Sequence, residues 1–498
     1  MKKFLDEYKF FIKKMGLIGI SNFLITITPV ILLPILTQNL PIQDYVIWVQ
    51  FQITITLIPA VAILGLPYTM VRFMSASKSK ENIQEFFYSF MFTVMFASLI
   101  MALILFLLAG PISNAIFNGN IEIGLILPAT AFMTALTLLF FDFFRAFNQM
   151  TKYAILTTLQ AYLIVIIVTA FVLLGFGILG AIAGIFITQV LICIIMFILI
   201  SKQIGFKIPQ FKNLKEFLSF GLPTIPSNMS FWILDATDRY VIGLMLGVTA
   251  VSYYSAGYTI SALMSLLTAP LYTVLLPILS GYHAEGRIKD TKFLLNYSIK
   301  LYLVIAIPAV IGLSFLSKPL LFILSTPELA LNGFMITPIL AIGGLFFGLY
   351  CIVTQILVLE RKTRITGNIW IISTILNIVF DITFGYLFGI MGIAVTTLAI
   401  YLFAFLITVY YSFKYIRCNF YFGFITKTIY AGFFMAAVLL LLNPYGVINI
   451  VISSLVAFAV YMVSLWLFKG IRTYEIKFFI DVIKEIFTNT YKSITSLK

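Results

Sequence analysis

The chain has 498 residues, 62% of them hydrophobic and only 10% charged, with a mean hydropathy of +1.09. Soluble domains carry roughly 45–50% apolar residues, so this composition excludes a water-soluble globular protein and points to a polytopic membrane protein. The formal net charge of +14 does not mark a nucleic-acid binder, because the basic residues are spread along the chain rather than gathered in one domain.

The first segment, MKKFLDEYKFFIKKMG, has the basic character of a signal leader. The apolar run behind it is too long for one and offers no small-residue cleavage site, so it reads as a retained amphipathic leader. Apolar stretches of about 20 residues then recur, each enough for a hydrocarbon core of roughly 30 Å at about 1.5 Å per residue. They fall near 15–37, 45–71, 86–109, 123–144, 153–174, 179–200, 217–246, 250–280, 293–316, 333–358, 365–387, 390–413, 428–443 and 446–468. The runs are continuous, whereas outer-membrane strands alternate over about 10 residues, so helices are expected and a barrel is not. The fold class is therefore all-α, with about 14 transmembrane helices. The short thirteenth stretch leaves twelve spans plus a loosely defined C-terminal pair as the alternative count. Either number puts both termini on one side.

Charge identifies that side. With the N-terminus inside, the inside segments hold 29 of the 32 Lys and Arg residues, and only Lys318 falls in an outside loop; Arg239 and Lys300 lie within spans. So strong a bias predicts a multi-pass protein of the cell membrane with both termini cytoplasmic, and contact with anionic membrane lipids.

The chain also repeats itself. FGILGAIAG at 176–184 matches FGIMGIAVT at 388–396 with an offset of 212, and Tyr45 with Tyr254, Tyr88 with Tyr297 and Pro128 with Pro338 keep offsets of 209 or 210. Each glycine pair is expected to make a tight outer turn. Six spans return the chain to its starting side, so spans 1–6 and 7–12 read as two parallel six-helix lobes. The predicted organisation is an N-lobe at 1–210, a C-lobe at 211–415, and a C-terminal helix pair with a cytoplasmic tail at 416–498. Parallel repeats of this kind are a transporter architecture with its pathway between the lobes.

Two six-helix lobes, a further pair, and the stretch DRYVIGLMLGVTAVSYYSAGYTISALMSLLTAPLYTVLLPILS at 238–280 resemble the Wzx-like polysaccharide flippases of the multidrug/oligosaccharidyl-lipid/polysaccharide exporter superfamily. The resemblance covers most of the chain and is strongest in spans 7 and 8. It implies translocation of a polyprenyl-pyrophosphate-linked oligosaccharide from the cytoplasmic to the outer leaflet by alternating access. It also implies other membrane proteins of polysaccharide assembly as partners.

A diphosphate crossing hydrocarbon needs a polar cavity with cations inside. Arg239 and Lys300 are the candidates. Asp235 and Arg239 are spaced i,i+4 and Asp238 adjoins them, so the three project toward one side of span 7. They either line the pathway or neutralise one another and lock two helices. Pro223 and Pro226, earlier in the same span, bend it into a gating element, as Pro29 and Pro34 would bend span 1. Asp142 lies three residues from Arg145, the spacing of a local snorkelling pair. Asp381 has no local cation and needs a partner across helices, water or a proton; the alternative is a packing hydrogen bond with Asn377 or a neighbour. Both are candidates for coupling to H⁺ or Na⁺.

The rival readings are a multidrug/cation antiporter of the same superfamily and, further off, a membrane glycosyltransferase or polysaccharide polymerase. The antiporter would favour a net acidic cavity and no C-terminal pair. The enzymes would need a large outer domain, yet the longest outside connections, near 110–122 and 317–332, are short, and no nucleotide loop or nucleophile motif appears. Cys193, Cys351 and Cys418 are far apart and His283 is the only histidine, so no metal site, cofactor or enzymatic activity is expected.

Overall fold

The computed structural model describes residues 19–74 and 79–470. The basic leader at 1–14, and the basic tail beyond Gly470, lie outside the described residues. Among those described are 18 α-helices, two short 3₁₀ turns and no strand. Eleven helices are long and apolar enough to cross a membrane, so the all-α polytopic expectation holds.

One of the eleven, Thr363–Ser412, has 50 residues, about 75 Å of helix at 1.5 Å per residue and more than twice the hydrocarbon thickness. It breaks at Gly389, whose φ of 61° and ψ of −146° are open only to glycine. It therefore supplies two crossings. The expected spans 217–246 and 250–280 are also helical, but each is divided by a 3₁₀ turn, at Leu222–Thr224 and at Ala262–Met264. Helices thus stand at all fourteen expected positions.

The chain forms two compact units. The first takes Ile27–Ser255 with Trp370–Ile393. It holds α1 (Thr28–Asn39), α2 (Ile42–Ala62), α3 (Leu66–Phe73), α4 (Lys80–Leu107), α5 (Ala109–Ile116) and α6 (Ile121–Ala146). These are followed by α7 (Met150–Leu173), α8 (Gly177–Ile204), α9 (Leu214–Gly221), α10 (Ile225–Met245) and the start of α11 (Val248–Ser261). Helix α6 is central, with α2, α4 and α8 packed on it. Lipid offers no hydrophobic drive for helices to associate, so close packing and polar satisfaction must do it. Thr130, Thr134 and Thr137 accordingly turn their hydroxyls back onto carbonyls four residues earlier, at 3.0, 2.8 and 2.8 Å. Phe217 of α9 is buried against the rings of Phe73, Phe86 and Phe90, with centroids 5.3, 5.0 and 4.8 Å away. Such tilted aromatic contacts fix where α9 enters.

Glycines make the sharpest contact here. Gly65 takes φ 67° just before α3, where a Cβ would strike the Gly221 carbonyl oxygen and the Thr224 hydroxyl; a Cβ on Gly221 would strike the Leu64 carbonyl oxygen. The two GLP tripeptides, 65–67 and 221–223, thus cross backbone against backbone.

The second unit takes Ala256–Ile369 with the described residues of 1–26 and 394–498. It includes α12 (Ser265–Ala284), α13 (Ile288–Leu324), α14 (Pro327–Gly333), α15 (Ile336–Leu359), both ends of α16 (Thr363–Ser412), α17 (Phe422–Leu442) and α18 (Val447–Leu467). Helix α13 runs unbroken through Pro308 and Pro319 and is packed by α15, α17 and α18. At the two matching nonapeptides, Gly177 and Gly389 both take a positive φ, 59° and 61°.

Candidate functional site

The charges of span 7 sit on α10. Pro223 lies in the 3₁₀ turn before it, and Pro226 in its first turn, where the missing N–H has no intrahelical partner to lose. The pair therefore breaks the path between α9 and α10. Ser230 returns its hydroxyl to the Pro226 carbonyl at 2.8 Å.

Beyond this break the helix is zipped to α2 by side chains. Trp232 Nε1 donates to Thr56 Oγ1 at 2.7 Å, the Tyr240 hydroxyl meets Thr54 Oγ1 at 2.7 Å, and Gln50 Nε2 donates to the Arg239 carbonyl at 3.2 Å. The remaining Gln50 oxygen is buried without a hydrogen-bond partner. A small, partly open cavity of about 20 Å³ lies beside it, lined by Gln50, Asn118, Tyr240, Gly243 and Val251 among others.

Asp238 and Arg239 are 2% and 6% exposed. The hydroxyl of Tyr254, on α11, donates to Asp238 Oδ2. On α16, Asp381 and Asn377 are both fully buried, and the Asp381 carboxyl lies against Asp238 and Asn377. Neither Asp381 nor Asn377 completes a hydrogen bond of normal geometry within the protein. Two carboxyls and an amide thus meet in the interior of one unit, and the buried Arg239 follows Asp238 directly along α10.

The remaining candidates lie as follows. The Asp235 side chain is outside the described residues. Asp142 is bound by Arg145 at 2.8 Å, with the Asp142 side chain 11% and that of Arg145 54% exposed. Lys300, in the second unit, holds its ammonium 5.2 Å from the centre of the Phe424 ring on α17, a cation–π contact. Sequence reasoning left out Gln50, Thr54 and Tyr254, and it did not join Asp238 to Asp381. No local spacing connects residues on four different helices, so only the fold reveals them.

Chemically the arrangement offers two functions. A buried guanidinium is a bidentate ligand for phosphate or carboxylate oxygens. The carboxyl pair with the Asn377 amide forms an oxygen-rich set suited to a proton or a small hard cation. Among the described residues no group of three or more His, Cys, Asp or Glu side chains is placed to hold a metal ion.

The chain is similar to several known proteins. Residues 11–283 match the family model described as polysaccharide biosynthesis protein, and residues 223–383 match the MatE model. The chain is 22% identical, over 38% of its length and 40% of the relative's, to the probable low-salt glycan biosynthesis flippase Agl15 of Haloferax volcanii. It is 25% identical, over 40% of its length and 38% of the relative's, to the probable lipid II flippase MurJ of Vibrio cholerae. It thus spans about two fifths of each of these curated relatives. In fold it is similar to a lipid II flippase MurJ in an inward closed conformation, with a TM-score of 0.74, 18% identity, and 91% and 98% of the two chains covered. An inward-facing multidrug resistance MATE family transporter gives 0.63, with 14% identity and 82% and 94% covered. With the first model matched over more than half of its residues, the chain belongs to the polysaccharide biosynthesis protein family.

Proposed function

We propose that the protein is a transporter, not an enzyme, that flips a polyprenyl-pyrophosphate-linked oligosaccharide from the cytoplasmic to the outer leaflet of the cell membrane by alternating access, for cell-surface polysaccharide biosynthesis. Family membership and the flippase names of its relatives support the substrate class. The observation that carries the mechanism is the burial of Arg239 on α10, one residue after Asp238, whose carboxyl lies against that of Asp381. In this reading the guanidinium receives the diphosphate, Asp235 and Asp238 neutralise it between cycles, and Lys300 adds a second cation. Asp238 and Asp381 hold the coupling H⁺ or Na⁺, and Asp142 is a second candidate for that role. The break at Pro223 and Pro226 gates the pathway, and two sequence repeats, 1–210 and 211–415, form its walls, with 416–498 as an accessory pair. Both termini are cytoplasmic, and other polysaccharide-assembly membrane proteins supply or take up the substrate.

The test is a reconstituted assay of a lipid-linked oligosaccharide crossing a vesicle bilayer, with and without ion gradients. Movement that depends on Arg239 supports the reading; no movement under any gradient defeats it. The MatE match and the carboxyl pair favour one second reading, a cation antiporter. Efflux of a cationic dye, with no movement of the lipid-linked sugar, selects it.

A further inference from the structure

We propose that the segment 202–215, which joins α8 to α9, is a built contact for anionic phospholipid headgroups at the membrane surface. Residues 205–211 have no helix or strand of their own, yet they are held from several directions. Gln84 Nε2 donates to the Ile204 carbonyl at 2.6 Å, and the Tyr88 hydroxyl donates to the Gly205 carbonyl at 2.8 Å. The Gln210 backbone N–H donates to Glu85 Oε1 at 2.7 Å, and Lys152 Nζ donates to Gln203 Oε1 at 3.4 Å. The Phe206 ring meets the Tyr88 ring at 5.1 Å, and Pro209 is buried.

So firmly held a backbone would ordinarily turn its apolar side chains inward. Here Phe206, Ile208 and Phe211 remain 64%, 75% and 41% exposed, and Phe211 takes a φ of 56°, a left-handed backbone that an aromatic residue adopts only under constraint. Lys202, Lys207, Lys212 and Lys215 alternate with them, against two nearby carboxylates, Glu216 and the Glu85 that holds the Gln210 N–H. The segment also leaves the end of a 28-residue apolar helix, so in a bilayer it starts at headgroup depth. Outward aromatic and aliphatic groups at that depth enter the acyl boundary, while lysines reach the phosphates. A soluble protein partner would meet these side chains only away from the bilayer. The charge balance and the exit from a span favour lipid.

The full chain, carrying Ile208→Cys labelled with an environment-sensitive fluorophore, tests this in vesicles of phosphatidylcholine alone and of phosphatidylcholine with phosphatidylglycerol. Brominated acyl chains should quench the probe, iodide should not, and phosphatidylglycerol should strengthen the protection. Each lysine removed in Lys207→Gln and Lys212→Gln should lower the phosphatidylglycerol-dependent ratio of membrane-inserted to water-exposed probe by a factor of about five. These lysines are at the surface, so melting of the variants should match the parent, and a lowered melting temperature counts against a purely surface role. Quenching by iodide in both vesicles, as a surface facing water or a soluble partner would give, overturns the proposal. So does a phosphatidylglycerol effect that survives both lysine changes.

Discussion

Tyr461 of α18 donates its hydroxyl at 2.8 Å to the carbonyl oxygen of Val304, four residues before Pro308 in α13. Pro308 has no N–H to offer that carbonyl. In lipid an orphaned carbonyl finds no water, so a side chain of the C-terminal pair supplies the bond that the helix cannot. Tyr461→Phe should cost about 1–2 kcal/mol. In a Pro308→Ala background, where residue 308 regains its N–H, the same change should cost much less. Thermal unfolding of the four variants of this cycle measures the difference, and equal costs in both backgrounds would mean the hydroxyl does not act through the proline.

The Arg239 site separates binding from folding. Arg239→Lys should impair transport while leaving expression largely intact, because a compact ammonium reproduces bidentate diphosphate binding poorly. Arg239→Ala should abolish transport and lower stability, since removing one partner of a buried charged group typically costs ~3–5 kcal/mol. If Arg239→Ala with Asp235→Ala folds normally and transports fully, the charges are only structural.

Asp238 and Asp381 give a prediction of unusual sign. Two carboxyls facing each other in the interior repel unless an ion or proton lies between them. Asp381→Asn should therefore raise the melting temperature in ion-poor buffer. It should also remove any stabilisation that Na⁺ or H⁺ confers on the parent, which follows mass action. A parent whose melting is indifferent to both ions excludes a coupling role for this pair.

Orientation is open to a direct measurement. The charge bias places reporters inserted at 115–120 and 325–330 outside and a reporter at 284–290 inside. An inside signal at 115–120 would reverse the assignment.

Cys418 lies between α16 and α17 and is buried. Burial pushes its thiol up to about 11, with Lys292 pulling weakly the other way. Little thiolate exists at pH 8, so maleimide labelling of the folded chain should be slow and should quicken as pH rises toward 11. Rapid labelling at pH 8 in the folded chain would show that the loop opens.

How far the sequence could be read depends on the range of each signal. The apolar runs carried the helices, because length and hydropathy are local and a bilayer imposes both. Boundaries inside the charged stretch were less legible. The run at 217–246 reads as one bent span, but the structure divides it at Leu222–Thr224, where Gly221 must pass the Gly65 backbone, an event set by a distant turn. The expectations about Asp381, a partner across helices, water or a proton, or else a packing hydrogen bond with Asn377 or a neighbour, left the partner across helices without an identity. It is Asp238, a like charge, which no pairing rule based on opposite signs would select.

The GLP crossing can be tested through its missing side chains. Gly65→Ala must bear a left-handed φ, at roughly 1–2 kcal/mol, and a collision with backbone that cannot move aside as a side chain would. Overpacking of this kind adds about 1–3 kcal/mol. Gly110→Ala, which meets nothing within 4 Å, is the matched control. Equal melting temperatures for the two variants would show that the backbones separate freely.

The positive-φ corners at Gly177 and Gly389 have a different consequence. Each turn is shaped by its own main chain, through one tripeptide, FGI, and one φ value within two degrees of the other. A corner that owes its shape to so few atoms is a portable part. It can be copied with its helix and reused at a second address in the chain, while the surrounding side chains diverge to suit different neighbours.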